Sequence, residues 1–183
     1  MSNTLLFRKE VPDNQKWDIT DIFTSDEAFY ATNDETLKKA KDFRNQFENQ
    51  LSAPKSIEQA LDEYSQILIQ VDRMANYAEL RLSVDTSDEA AQTVNSKFNT
   101  TFGKIISQLA FVESEILQLS EETLNDFNKK TKYPHFITKL KNRQPYQLNP
   151  KVEEALASLS PTLEAPFELY GITKMLDIPF KSF

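Results

Sequence analysis

"SIEQALDEYSQILIQVDRMANYAELRL", Ser56 to Leu82, decides the fold class. Ile57, Leu61, Tyr64, Leu68, Val71, Ala75, Ala78 and Leu82 recur at steps of three and four residues, the spacing that puts them on one stripe of an α-helix. The stripe runs for more than six turns. A helix of that length must lay its apolar side against a partner, so an extended helical hairpin is expected. Ser56 with Gln59 has capping-box spacing at its start.

The segments on either side read the same way. Upstream, "TSDEAFYATNDETLKKAKDFRNQFENQLSAP" offers Thr24 and Glu27 as a capping box and repeats Phe29, Leu37, Ala40, Phe43, Phe47 and Leu51 on one face, with Pro54 as its stop. Downstream, Thr86 and Glu89 in "DTSDEAAQ" open a third helix. Its stripe runs through Val94, Phe98, Ile105, Leu109, Val112, Ile116 and Leu119. Gly103 inside it costs about 1 kcal/mol against Ala, and a close helix crossing there would offset that cost. "LSEETLNDFNKK" is a short capped helix whose Lys129 and Lys130 suit the negative end of the dipole. Another short helix follows "YPHF" and ends near Arg143. Two further starts come at Asn149-Pro150 and Ser160-Pro161, with Pro166 still in the first turns. No strand pattern exceeds the Trp17-x-Ile19 fragment, and no repeat or low-complexity linker appears. The stripes drift as a 3.6-residue period requires, which favours a globular bundle over a free coiled coil. The expected fold is all-α, an elongated multi-helix bundle built on long antiparallel hairpins. It comprises an N-terminal arm over 1–24 and a helical domain over 25–183.

Composition narrows the function. The chain has 183 residues with 2 glycines, no cysteine and a net charge of −7. That negative field disfavours nucleic acid and anionic lipid surfaces. Without cysteine there is no disulfide, thiol nucleophile or thiolate metal site, which suits a reducing cytoplasm. The start, "MSNTLLFRKEVPD", lacks the apolar stretch of a signal peptide, and no run approaches the roughly 18 apolar residues that would suggest a membrane span. A cytoplasmic chain is expected, with neither nucleic-acid nor membrane partners.

Candidate chemistry is thin. His135 is the only histidine, and a zinc site needs three or four Cys, His or carboxylate ligands. We read His135 as an ordinary residue at a loop or helix start. The acid groups Asp18 and Asp21, Asp85 with Asp88 and Glu89, Glu121 and Glu122, and Glu153 and Glu154 fit helix starts and solvated faces. "DTSDEAAQ" lacks the central glycine of a calcium loop, and there is no G-x-S-x-G elbow or glycine-rich phosphate loop. A two-carboxylate hydrolase stays open, because spatial spacing is invisible here. From Lys129 to Arg143 the chain holds Lys129, Lys130, Lys132, Lys139, Lys141 and Arg143 with no acid. This run reads either as an anion-contacting patch or, as the overall charge favours, as a solvated face. No catalytic, cofactor-binding or metal-ligating residue is assigned.

"RKEVPDNQKWDITDIFTSDEAF", Arg8 to Phe29, resembles the opening of the oligoendopeptidase F family of zinc peptidases. The resemblance rests on Arg8, Val11 and Pro12, then Trp17, Asp18 and Ile19, then Asp21, Ile22 and Phe23. "RLSVDTSDEAAQ", "NRQPYQLNPKVEEALASLSP" and "LYGITKMLDIPF" are similar to later stretches of the family's N-terminal region, in the same order. Around Tyr146 and Gln147 many relatives carry a histidine that this chain lacks. The resemblance implies a parent enzyme that hydrolyses short peptides with one zinc, held by the two histidines of H-E-x-x-H and a glutamate. No H-E-x-x-H occurs in these 183 residues, so none of those roles carries over and no zinc is expected on this chain.

The implied part is a wall of the substrate channel, whose partners are the catalytic domain elsewhere in the parent and the peptide itself. Surface facing that domain should be apolar and exposed, and could pair two copies into a homo-oligomer. The alternative is a stand-alone helical interaction module without catalysis. Trp17, Ile19, Ile22 and Phe23 are expected to clamp the N-terminal arm against the hairpin, with Trp17 buried.

Overall fold

Ser25 sets the first helix. In the computed structural model its backbone is extended and its hydroxyl accepts a hydrogen bond from the Ala28 amide at 3.3 Å. Asp26 and Glu27 follow in the first turn, where unpaired amides favour acids. The cap is therefore Ser25, not Thr24; two adjacent hydroxyls leave its register open by one position. The described residues are 10–146 and, beyond them, scattered positions between 152 and 174.

Helix α1 runs Asp26–Phe47. The chain then turns through Asn49, which holds φ at 63°, a left-handed conformation that asparagine tolerates. Helix α2 runs Pro54–Val84, so Pro54 begins it instead of ending α1; its missing N–H costs nothing at the first helical position. Ser56 makes no capping box. Its hydroxyl bonds back to the carbonyls of Gln50 and Ala53 at 2.8 and 2.9 Å and pins the turn. Helix α3 runs Glu89–Leu109 and is capped by Asp88, whose carboxylate takes the Ala90 amide at 2.9 Å, so Thr86 does not cap it. The expected long third helix breaks at Ala110, and α4 covers Phe111–Leu117. Helix α5, Glu121–Lys130, is capped by Ser120 and ends on Lys129 and Lys130, as read from the sequence. Helix α6 is Pro134–Arg143. No strand occurs among the described residues, and the fold is an all-α bundle.

The chain divides into two units, Met1–Leu140 and Lys141–Phe183. In the first, α1, α2 and α3 pack on one another around one apolar cluster that also takes in Ile116, Leu124, Ile137 and Leu140. Phe29, Ala40, Phe43, Phe47, Leu51, Ile57, Leu61, Val71, Ala78, Val94, Phe98, Ile105, Leu109, Val112 and Ile116 are buried, as the stripes require. Met74 and Tyr77 join them, although the α2 stripe did not include them. Phe29 stacks on Tyr77 at 5.5 Å between centroids and meets Phe23 edge-on at 5.8 Å, the offset geometries aromatic quadrupoles prefer. In the second unit the ammonium of Lys174 lies 5.6 Å from the Tyr170 ring centre. The expected starts at Asn149-Pro150 and Ser160-Pro161 lie outside the described residues.

Two expectations about packing are overturned as well. Trp17 is 89% exposed and does not enter the core. Phe23 does, at 6% exposure, with Ile19 and Ile22 half-buried beside it. Arg73 closes over it, its guanidinium 4.9 Å from the Phe23 ring centre while donating to the Ile22 carbonyl. The short 3-10 turn Ile19–Asp21, capped by Asp18, brings Phe23 to the helices and leaves Trp17 on the solvent side.

Gly103 is the second. It is exposed, and a Cβ built there meets nothing within 4 Å, so no close crossing explains it. Gly103→Ala should therefore stabilise the chain by about 0.5–1 kcal/mol by restricting the unfolded state, read as a raised urea midpoint with unchanged slope.

Candidate functional site

Three of the acids singled out in the sequence, Asp18, Asp85 and Asp88, accept backbone amides. Asp18 accepts the Thr20 amide at 2.9 Å and its hydroxyl at 2.6 Å, and these bonds hold its carboxyl below the usual range. Asp85 receives the hydroxyl and amide of Ser87, with the same effect. Asp88 and Glu89 start α3, Glu121 and Glu122 fill the first turn of α5, and Glu153 and Glu154 lie outside the described residues. His135 sits exposed at the second position of α6. Among the described residues no three His, Asp or Glu side chains converge as a metal would require. This donor set does not fit a zinc centre.

The basic run resolves into a brace at its middle. Lys132 pairs with Asp62 of α2 at 2.6 Å, the Tyr133 hydroxyl donates to the same carboxylate, and the Lys132 amide reaches Glu58 at 3.2 Å. Lys130 pairs within its own helix with Asp126 at 2.8 Å. Lys132 is thus engaged in tying the α5–α6 turn to α2, while Lys129 and Lys139 face solvent. The Lys132 hydrogen bond, then that of Tyr133, holds the Asp62 carboxyl below its ordinary value of 3.8. A depressed pKa stabilises the fold above the ordinary value and ceases to do so as pH falls through the folded one. Asp62→Asn should therefore lower the urea midpoint at pH 7, and the difference from wild type should shrink below about pH 3.8.

Two concavities lie near this brace, one of about 400 Å³ lined by Glu58, Asp62, Lys130 and Thr131, and a larger one. The larger is a groove of about 690 Å³ between α1 and α2. Phe43 and Ile67, both almost wholly buried, form its floor. Its sides carry Asp42, Asp62 and Glu63, with Gln46, Gln66 and Gln70 as amide donors and acceptors. Two ammonium groups reach it. Lys132 is matched by Asp62, and Lys39 pairs with Glu35 at 2.8 Å. Glu63 receives only a long contact from Gln46, at 3.5 Å, and no hydrogen bond or ion pair reaches Asp42 among the described residues. Sequence reading did not find this groove, because its two walls are 20 residues apart in the chain, from Asp42 to Asp62, and meet only once α1 packs on α2. The available signal was the polar spacing Asp42, Gln46 and Glu63, Gln66, Gln70 beside core positions.

Comparison with known proteins places the chain. The family model described as Oligopeptidase F matches residues 115–180. Oligopeptidase PepF of Bacillus subtilis is 26% identical over 186 residues, covering 99% of this chain and 28% of the relative. Oligoendopeptidase F of Lactococcus lactis subsp. cremoris is 27% identical, over 93% of this chain and 29% of its own length. Group B oligopeptidase PepB of Streptococcus agalactiae is 28% identical, over 94% of this chain and 30% of its own length. This chain thus spans less than a third of these curated relatives. No solved structure matches it. Nearly the whole of this all-α chain is therefore similar to the N-terminal region of the oligoendopeptidase F family.

Proposed function

We propose that this chain is the helical, non-catalytic N-terminal domain of a cytoplasmic zinc oligoendopeptidase, where it forms one wall of the channel through which short peptides reach the reacting centre. The observation that carries this reading is the alignment of 93–99% of the chain with only 28–30% of relatives that bear oligopeptidase names. The lone His135 supports it from the other side, since it cannot supply a two-histidine motif. Water activation, metal ligation and bond cleavage then fall to residues outside these 183. The bundle's own part is steric and electrostatic. A packed three-helix wall is stiff and negatively charged, so it can exclude folded proteins while drawing in cationic peptide ends. Exposed Ile69, Leu80, Phe102 and Ile106 offer apolar area for the contact with the catalytic part, or between two copies of the isolated chain.

The test joins and separates the two parts. The chain alone should release no product from an internally quenched peptide, with or without added zinc. The same chain translated together with the sequence that adjoins it in its gene should do so, and that sequence should contain H-E-x-x-H. Turnover by the chain alone that survives a mutant control, or an adjoining sequence without the motif, overturns the reading.

A further inference from the structure

We infer that Leu163, Phe167 and Tyr170, in the second unit, form a docking face that an apolar surface of the parent's remaining sequence covers. This contact presupposes the longer parent of the proposed function and adds to the α2 and α3 residues named there. Residues 162, 163, 165–167 and 169–171 are helical. Steps of four and three residues put Leu163, Phe167 and Tyr170 on one side of that helix, and all three are between 62% and 80% exposed. Ala165, on the opposite side, is half-buried. The helix thus turns its large apolar side chains to water and keeps a small one covered, the reverse of an ordinary surface helix. The ammonium of Lys174, 5.6 Å from the Tyr170 ring centre, marks the end of the face.

Area and charge select the occupant. Three such side chains leave about 300–400 Å² of apolar surface open, the size of patch that marks an interaction site. Two copies sharing this face would bury about 600–800 Å² in total, below the roughly 1,200 Å² of a stable interface between separate chains. Each copy would also bring a charge of −7, which repels the other. A partner in the same polypeptide needs no such area, because the tether holds it at an effective concentration of about millimolar. More than two thirds of each relative lies outside its match to this chain, ample sequence for that partner. The face lies within residues 115–180, which the family model matches, so the segment carrying it belongs to the stretch common to the family and is no extension peculiar to this chain.

The chain has no cysteine, so single thiols can report on the face. Leu163→Cys, Phe167→Cys and Tyr170→Cys are made in the 183-residue chain and in the chain translated with its adjoining sequence. Leu169→Cys is the control, since Leu169 is exposed too but points about a third of a turn away. Maleimide labelling of each site is followed by mass spectrometry of its peptide. In the 183-residue chain all four should label at similar rates. In the longer polypeptide the three on the face should slow by about tenfold or more, and Leu169→Cys should not. The thermal midpoint of each variant is the folding control. Phe167→Glu gives a second measurement: it should leave the midpoint of the 183-residue chain unchanged and lower that of the longer polypeptide by a few degrees. Equal rates in the two polypeptides, equal slowing of Leu169→Cys, or slow labelling of the dilute 183-residue chain would each overturn the proposal. So would protection of that chain at high concentration, the mark of a second copy. None of these readouts needs peptidase activity or the H-E-x-x-H motif. If the labelling fails, product release still tests the channel-wall reading, and an adjoining sequence without the motif can still protect the face.

Discussion

Phe29→Ala is expected to destabilise the chain by about 3–5 kcal/mol, a large part of the total for a domain of this size. Phe29 is wholly buried, on the first turns of α1, and it touches three other aromatic rings. It stacks on Tyr77 of α2, meets Phe23 of the N-terminal arm edge-on, and lies 5.5 Å from the Tyr30 ring. Removing it leaves a cavity where the arm, α1 and α2 meet, and two rigid rings line that cavity and cannot collapse into it. The control is Trp17→Ala. At 89% exposure Trp17 should change stability by less than about 0.5 kcal/mol. Urea unfolding followed by circular dichroism measures both. If Trp17→Ala costs as much as Phe29→Ala, the position of the arm described above is wrong.

That contrast shows which part of the structure was readable in the residues. Periodicity specifies a helix's inward face because burial acts on every turn, so the stripes through Phe29, Phe43, Ile57 and Ile105 emerge from spacing alone. Met74 and Tyr77 fell outside the α2 stripe because that helix touches both α1 and α3, which widens its buried arc beyond a single line. Caps shifted by one or two residues wherever several capping side chains stood together, at Thr24-Ser25 and at Thr86-Ser87-Asp88. Trp17 misled because hydrophobic size says nothing about which way a short 3-10 turn will aim the chain. Gly103 misled for a related reason, since a glycine in a helix signals close approach only if a neighbour is there. The groove was invisible for a geometric reason. A site with walls on two helices depends on their rotation about their own axes, and a one-dimensional pattern does not encode it.

Asp26 should give the second large effect, and its cause is electrostatic. One carboxylate oxygen at the start of α1 accepts the Tyr77 hydroxyl at 2.8 Å and the Arg81 guanidinium at 2.8 Å, both from the latter half of α2. The carboxylate also sits where the α1 dipole favours negative charge. Tyr77 is 2% exposed, so Asp26→Ala strands its hydroxyl away from water and removes the countercharge from a largely covered Arg81. The expected loss is about 2–3 kcal/mol. Tyr77→Phe alone should cost about 1 kcal/mol, because it deletes the hydroxyl along with its need for a partner. Adding Tyr77→Phe to Asp26→Ala should then recover part of the loss, a coupling that a double-mutant cycle reads directly. Burial first, and the neighbouring Asp26 second, raise the Tyr77 pKa above its ordinary 10.0. A raised pKa means that the fold favours the protonated phenol, so this contribution is complete below pH 10 and lost as pH rises through the folded value. Wild type should therefore lose stability above about pH 10 more steeply than Tyr77→Phe, and equal slopes would show that the hydroxyl is not held by Asp26.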